Sequence, residues 1–130
     1  MATHIAETIE RTDLGFGFHR ESMTRMHWLL AGLATITGAV HLYLYLTQGF
    51  LPFLFAGVVF FAAIVGMLVI PYGHVARRAI YALGVPFTAA QIAAWVTLGM
   101  PDFALGVFDK VVQIALIVLL LYLFRMEMQR

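Results

Sequence analysis

The sequence predicts an all-α fold, a four-helix transmembrane bundle with up-down topology. Hydrophobic residues make up 62% of the 130 residues and charged residues 12%, against about 45–50% and 25% in soluble domains. Stretches without charge are long enough for spans of about 20 residues each. The chain lacks the alternating pattern of a membrane β-barrel, and backbone in hydrocarbon otherwise has to be helical to satisfy its polar groups.

The first two spans come from one long uncharged stretch. Between Arg25 and Arg77 lie 51 residues without Asp, Glu, Lys or Arg, which is enough for two spans and a turn. The turn is expected at residues 47–50, followed by Pro52, since proline is tolerated in a first helical turn. We therefore predict spans at residues 26–46 and 51–70.

The third and fourth spans follow the arginine pair at 77 and 78. An uncharged stretch predicts a third span at residues 79–100, ended by Gly99 and Pro101. The fourth is predicted at 103–124, with Asp109 and Lys110 near its start. The membrane domain thus covers residues 26–124, between an N-terminal tail (1–25) and a C-terminal tail (125–130). In the first tail, residues 3–13 could form a short interfacial helix, and a cleaved signal peptide is not expected.

The positive charges predict the orientation of the bundle. The chain has seven arginines, and each lies before the first span, between the second and third spans, or after the fourth. The connections between spans one and two and between spans three and four carry no positive charge apart from nearby Lys110. The positive-inside rule then places both termini in the cytoplasm of a multi-pass plasma membrane protein.

A stripe on the first span raises the question of a cofactor. Its residues recur at spacings of 4, 3, 4, 3 and 4 and share one helix face. They are His27, Ala31, Ala34, Gly38, His41 and Tyr45. Two histidines fourteen residues apart with small residues between them resemble a helix of a diheme cytochrome b, and His74, in the cytoplasmic turn between the second and third spans, is a further candidate ligand. Close helix packing through Ala31, Ala34 and Gly38 explains the same stripe.

A polar layer is predicted in the outer half of the bilayer. Counting 1.5 Å per residue from the cytoplasmic end of each span places five side chains within about 6 Å of depth. They are His41, Gln91, Asp109, Lys110 and Gln113. Because polar groups in lipid face the interior, the layer is either an ion relay or solute pocket, or an internally compensated structural contact. In the latter case Asp109 pairs with Lys110, and the glutamines bond across helices.

The third span carries a packing face and a proline. Gly84, Thr88, Gln91 and Trp95 share one side, which we expect to contact a neighbouring helix. Pro86 removes a backbone hydrogen bond and is expected to kink the span. The carbonyl of Ala82 would then take a new partner, either Thr88 or a neighbouring helix.

Two segments give the chain a family resemblance. Residues 38–44 (GAVHLYL) and 107–113 (VFDKVVQ) resemble uncharacterised small four-span integral membrane proteins of haloarchaea, over residues 26–123. The resemblance implies an archaeal plasma membrane location and carries no activity or functional residues.

Several function classes are excluded or disfavoured by what the chain lacks. It has no cysteine and a net charge of +1, so thiolate chemistry is absent and a nucleic-acid partner is not expected. It has no catalytic residue set that a motif would identify, no metal site is predicted, and we do not expect an enzyme on its own.

We therefore expect a non-catalytic subunit that packs within a larger membrane complex or a homo-oligomer. The alternatives are a b-type heme or quinone-binding electron-transfer subunit using His27, His41 and His74, and a small channel or transporter lined by the Asp109 layer. The most economical expectation is that no cofactor is bound.

Overall fold

A computed structural model describes residues 23–129 of the chain. They form four helices, which we number α1 (Arg25–Gln48), α2 (Leu51–Val69), α3 (Val75–Thr97) and α4 (Phe103–Met128), and this part of the chain contains no strand. Each helix is long and apolar enough to cross a membrane. The predicted all-α four-helix class is therefore confirmed. The interfacial helix expected at residues 3–13 lies outside the described residues.

Local backbone chemistry fixes the two ends of α1. The backbone N–H of Thr24, just before the helix, donates to His27 Nδ1 at 3.0 Å. The helix ends at Gly49, which has φ +70° and whose N–H donates to the carbonyl of Tyr45 at 2.7 Å. This left-handed cap is readily adopted by glycine because glycine has no Cβ. The next residues start α2, with Pro52 in its first turn.

Three helix ends differ by three or four residues from the predicted spans: α3 covers 75–97 and not 79–100, and α4 ends at 128 and not at 124. The third helix begins at Val75 because His74 caps it, with the N–H of Ala76 donating to His74 Nδ1 at 3.0 Å. Arg77 therefore lies in the first turn of α3 and not in a connection. The fourth helix continues through the predicted tail as far as Met128. A gap between charges marks the apolar part of a helix, and capping decides where the helix itself begins and ends.

The four helices form an incompletely closed bundle. The first helix packs against α2 and α4, and α3 packs against α4, whereas α2 and α3 make few contacts with each other. The order around the bundle is thus α2–α1–α4–α3, with an open seam between α2 and α3. The seam is bridged near the connection, where a methyl group at Gly66 would lie 2.6 Å from Ile80 Cδ1.

The small residues of the α1 stripe face the inside of the bundle. Ala31, Ala34 and Gly38 are all buried. A methyl group at Gly38 would meet the ring of Phe61 at 2.9 Å, and one at Gly57 of α2 would lie 3.1 Å from the carbonyl oxygen of Gly38. These residues therefore allow α1 to approach its own neighbours within the chain.

The third helix is the least buried of the four. Only three of its residues are buried, against seven in each of α1 and α4; the three are Arg77, Tyr81 and Thr88. The helix continues through Pro86. Within the described residues, the hydroxyl of Thr88 has no hydrogen-bond partner. It therefore does not make the hydrogen bond to the carbonyl of Ala82 that the sequence suggested. Gly84 contacts α4, since a methyl group there would lie 3.1 Å from Leu120 Cδ1.

Candidate functional site

A buried ionic cluster lies at the end of the bundle where the α2–α3 connection meets the last turn of α4. We call it the Glu127 cluster, and it consists of His27, Arg77, Tyr81 and Glu127. Each of these residues is at most 1% exposed. Arg77 Nε lies 3.2 Å from Glu127 Oε2, and His27 Nε2 lies 3.5 Å from the same oxygen. The cluster thus joins α1, α3 and α4.

Backbone groups complete the Glu127 cluster. The N–H of Gly73 donates to Glu127 Oε1 at 2.9 Å. Arg77 also donates to the hydroxyl of Tyr81 at 3.0 Å and to the carbonyl of Ile70 at 3.3 Å. The carboxylate therefore also fixes the α2–α3 connection to α4. A buried ion pair needs such additional hydrogen bonds to offset the loss of hydration.

The hydrogen bonds of His27 identify its tautomer. A backbone N–H can only donate, so Nδ1, which receives the N–H of Thr24, acts as the acceptor. The ring proton is then on Nε2, which faces Glu127. With His27 in this neutral form, the charges of Arg77 and Glu127 cancel, so the cluster carries no net charge into the bundle.

A second polar cluster lies towards the other end of the bundle. We call it the Asp109 cluster; it contains the whole predicted polar layer together with Thr37. Its members are Thr37, His41, Gln91, Asp109, Lys110 and Gln113. Thr37, Asp109 and Gln113 are at most 2% exposed and His41 is 5% exposed. Like the first cluster, it joins α1, α3 and α4.

The hydroxyl of Thr37 is the centre of the Asp109 cluster. It donates to Asp109 Oδ1 at 2.7 Å and accepts from Gln113 Nε2 at 3.2 Å. The same amide nitrogen of Gln113 donates to Gln91 Oε1 at 2.9 Å. Lys110 Nζ lies 2.8 Å from Asp109 Oδ2, which balances the carboxylate charge. His41 Nδ1 lies 2.7 Å from the carbonyl oxygen of Thr37 in its own helix.

An apolar section separates the two clusters. His27 and His41, and likewise Gln113 and Glu127, are fourteen residues apart on one helix, or roughly 21 Å along its axis. The buried residues of α1, α2 and α4 in this section are apolar, among them Leu30, Ala34, Phe60, Leu116 and Leu120. The described side chains thus form two separate polar contacts and not a continuous polar path.

The open seam contains a cavity of about 400 Å³, which we call the lateral cavity. Its lining is almost entirely apolar and comes from all four helices, including Ala63 of α2 and Leu83 of α3. Thr88 lies in its wall, and Tyr81 links it to the Glu127 cluster. A smaller cavity of about 170 Å³ lies beside the Asp109 cluster and is lined by His41, Asp109 and Lys110, among others.

The three histidines proposed as heme ligands occupy three different environments. His27 Nδ1 accepts from the backbone N–H of Thr24, and its buried Nε2 lies 3.5 Å from Glu127 Oε2. His74 caps α3 through Nδ1. The ring of His41 belongs to the other cluster and packs near the rings of Phe53 and Phe60, at centroid distances of 6.1 and 5.9 Å. His27 and His74 each use Nδ1 for a hydrogen bond at a helix N-terminus, and His27 Nε2 faces a carboxylate of the same chain.

Sequence reasoning missed four members of these clusters. Thr37 could have been found, because it precedes His41 by four residues and so shares its face. Glu127 continues the buried face of α4 at a spacing of 4 from Leu123, which is a second usable signal. Arg77 and Tyr81 also lie four residues apart, but the basic residue was assigned to a connection.

Comparison of the chain with protein-family models, with curated proteins and with solved structures finds no match.

Proposed function

We propose that the chain is a non-catalytic integral membrane subunit that packs, through α3, against a transmembrane helix of another subunit. The observation that carries the proposal is the outer face of α3. Four small residues at spacings of 4, 3 and 4 lie exposed along this face: Ala82, Pro86, Ala89 and Ala93. In lipid, small residues on one helix face allow another helix to approach closely, and such faces are enriched at helix–helix contacts.

The position of α3 in the bundle supports this proposal. It packs mainly against α4 and has fewer buried residues than any of the other three helices. The small residues of the α1 stripe, Ala31, Ala34 and Gly38, are buried inside its own bundle, so these three are not available to a partner. The outer face of α3 is therefore the surface that we assign to association.

The polar clusters support a structural and not a chemical role. In both, the ionic side chains are paired with one another, and the Glu127 cluster is fully enclosed. A proton relay needs a continuous path, whereas the buried side chains between the clusters are apolar apart from Thr88 of α3. The geometry therefore favours clusters that fix the rotation and depth of three helices over a channel or transporter.

For orientation, we propose that both chain ends lie in the cytoplasm of a plasma membrane. Arg25, Arg78 and Arg125 all lie at the end of the bundle that carries the Glu127 cluster, which the positive-inside rule assigns to the cytoplasm. Reporter fusions at the two termini test this, and a reporter active on the outer side would contradict it.

The association can be tested with single cysteines, because the natural chain contains none. In oxidised membranes, Ala89→Cys should form disulfide-linked dimers if the partner is a second copy, or a larger adduct with another subunit. The matched control is Ala39→Cys, on the exposed side of α1. Adducts that form equally at both positions, or only at Ala39, would contradict packing through α3.

A steric test complements the cross-linking. The double variant Ala89→Leu/Ala93→Leu fills the small-residue face and should shift the oligomer to a monomer on native gels of gently solubilised membranes. Ala39→Leu adds a similar side chain to α1 and should leave the oligomer intact. If the wild-type chain migrates alone in such gels, the proposal fails.

A further inference from the structure

The lateral cavity has the size and access of a binding site for a molecule from the lipid phase. Its volume of about 400 Å³ lies within the range of about 300–1,000 Å³ usual for small-molecule sites. It lies between α2 and α3, and Leu83 in its wall is 68% exposed. A ligand would therefore enter sideways from the bilayer and not from water.

One polar group in the wall of this cavity has no partner. Thr88 is 0% exposed and its Oγ1 makes no hydrogen bond within the described part of the chain. A threonine inside a helix commonly donates to the carbonyl four residues earlier, as Thr35 does to Ala31 at 2.8 Å. A buried hydroxyl without a partner is costly, and an acceptor atom in the cavity would satisfy it.

The two ends of the lateral cavity differ in chemistry. Next to Thr88, the rings of Phe60 and Phe87 line it and meet edge to face, with centroids 5.4 Å apart. Towards the α2–α3 connection the lining includes the aliphatic Met67 and Ile80 beside Tyr81, whose hydroxyl already accepts a hydrogen bond from Arg77. From Thr88 to Tyr81 the cavity extends over seven residues of α3, roughly 10 Å.

We propose that the lateral cavity binds a lipid-soluble quinone. The planar ring packs beside the rings of Phe60 and Phe87, and one ring carbonyl accepts the hydrogen bond of Thr88. The aliphatic chain runs towards Met67 and leaves through the seam into the bilayer. A plain acyl chain would leave the hydroxyl unpaired and would gain nothing from the aromatic end, so the observations favour a ring carbonyl. The site is independent of the outer face of α3.

The test uses the purified full chain in detergent micelles, with decylubiquinone as the probe and decylbenzene as the control ligand. Decylbenzene carries the same chain on a ring without carbonyl oxygens. The rise of the unfolding temperature with ligand concentration gives an apparent Kd, because a ligand that binds only the folded state stabilises it. Decylubiquinone should bind more tightly than decylbenzene.

Two variants locate the site. Thr88→Val keeps the shape of the side chain and should weaken quinone binding roughly 2- to 12-fold, the range expected for one hydrogen bond, while decylbenzene binding stays unchanged. Ala63→Phe fills the cavity and should abolish binding of both molecules. Ala39→Phe makes the same change on the exposed face of α1 and should bind like the wild type.

Several outcomes would overturn the proposal. Equal binding of the two molecules, or equal quinone binding by wild type and Thr88→Val, would mean that the cavity takes only an apolar chain. Unaltered binding by Ala63→Phe would place the quinone elsewhere. No concentration-dependent stabilisation of the wild type would show that the cavity is no quinone site; cross-links from Ala63→Cys to a second copy would then identify a protein occupant.

Discussion

Replacing Glu127 by glutamine removes the only negative charge of the Glu127 cluster while keeping an oxygen for the N–H of Gly73. The substitution removes the carboxylate that lies 3.2 Å from Arg77 Nε, while Arg77 itself is buried at 0% exposure. A glutamine side chain is nearly the same size as glutamate, so packing is preserved and the loss of stability reports on charge.

The expected loss of unfolding free energy is about 3 kcal/mol. This is the lower end of the range of about 3–5 kcal/mol found when one partner of a buried ion pair is removed. The lower end applies because Arg77 keeps its hydrogen bonds to the hydroxyl of Tyr81 and the carbonyl of Ile70. The double variant Arg77→Met/Glu127→Gln removes both charges of this ion pair. The double variant should therefore lose about 2 kcal/mol less unfolding free energy than the sum of the losses of Arg77→Met and Glu127→Gln measured singly.

The assay is unfolding in mixed micelles with increasing dodecyl sulfate, followed by far-ultraviolet circular dichroism. Asp102→Asn is the control, since Asp102 is exposed and accepts a hydrogen bond from Gln48 at 2.8 Å. It should leave the midpoint unchanged. If Glu127→Gln unfolds at the wild-type midpoint, or if the double variant loses the full sum, the ion pair does not hold the helix ends together.

The same assay tests two further contacts. Gly106→Ala should lower the unfolding free energy by about 1–3 kcal/mol, because a β-carbon there would overlap the indole of Trp95. A β-carbon at Gly32 would have nothing within 4 Å, so Gly32→Ala should be neutral or stabilising. Equal effects of the two variants would refute the α3–α4 contact. Thr37→Val should also cost about 1–3 kcal/mol, because it leaves buried partners unsatisfied. Thr35→Val removes a hydroxyl bonded within its own helix and should cost much less, so similar losses would contradict a central role for Thr37.

The helices could be predicted from the sequence because one strong physical constraint acts on them. Backbone in hydrocarbon has to satisfy its own hydrogen bonds, so an apolar stretch between charges becomes one helix or, when it is as long as residues 26–76, two. The predicted starts at residues 51 and 103 coincide with those of α2 and α4. The start of α3 differs because it depends on the side chain of His74, and hydropathy does not detect such a cap.

The members of the Asp109 cluster could be proposed from depth counting because they lie well inside the apolar spans, where polar residues stand out. The Glu127 cluster could not be found in this way. Arg77 and Glu127 lie near helix ends, where charged residues are ordinary and usually contact water. Only the tertiary arrangement shows that they are buried together, since the two residues are 50 positions apart in the chain.

The two clusters have a consequence for the helix that belongs to neither. Both join α1, α3 and α4, and α2 contains no polar side chain at all. In lipid, apolar helices gain little from hydrophobic burial against each other, so polar contacts and close packing decide their positions. Three helices thus form a hydrogen-bonded framework, whereas α2 is held by hydrogen bonds only at its C-terminal end, where Arg77 donates to the carbonyl of Ile70, and otherwise depends on packing against α1 at Gly38 and Gly57. The seam lies along the helix that is least constrained, and a small outward movement of α2 would widen the lateral cavity without breaking either cluster.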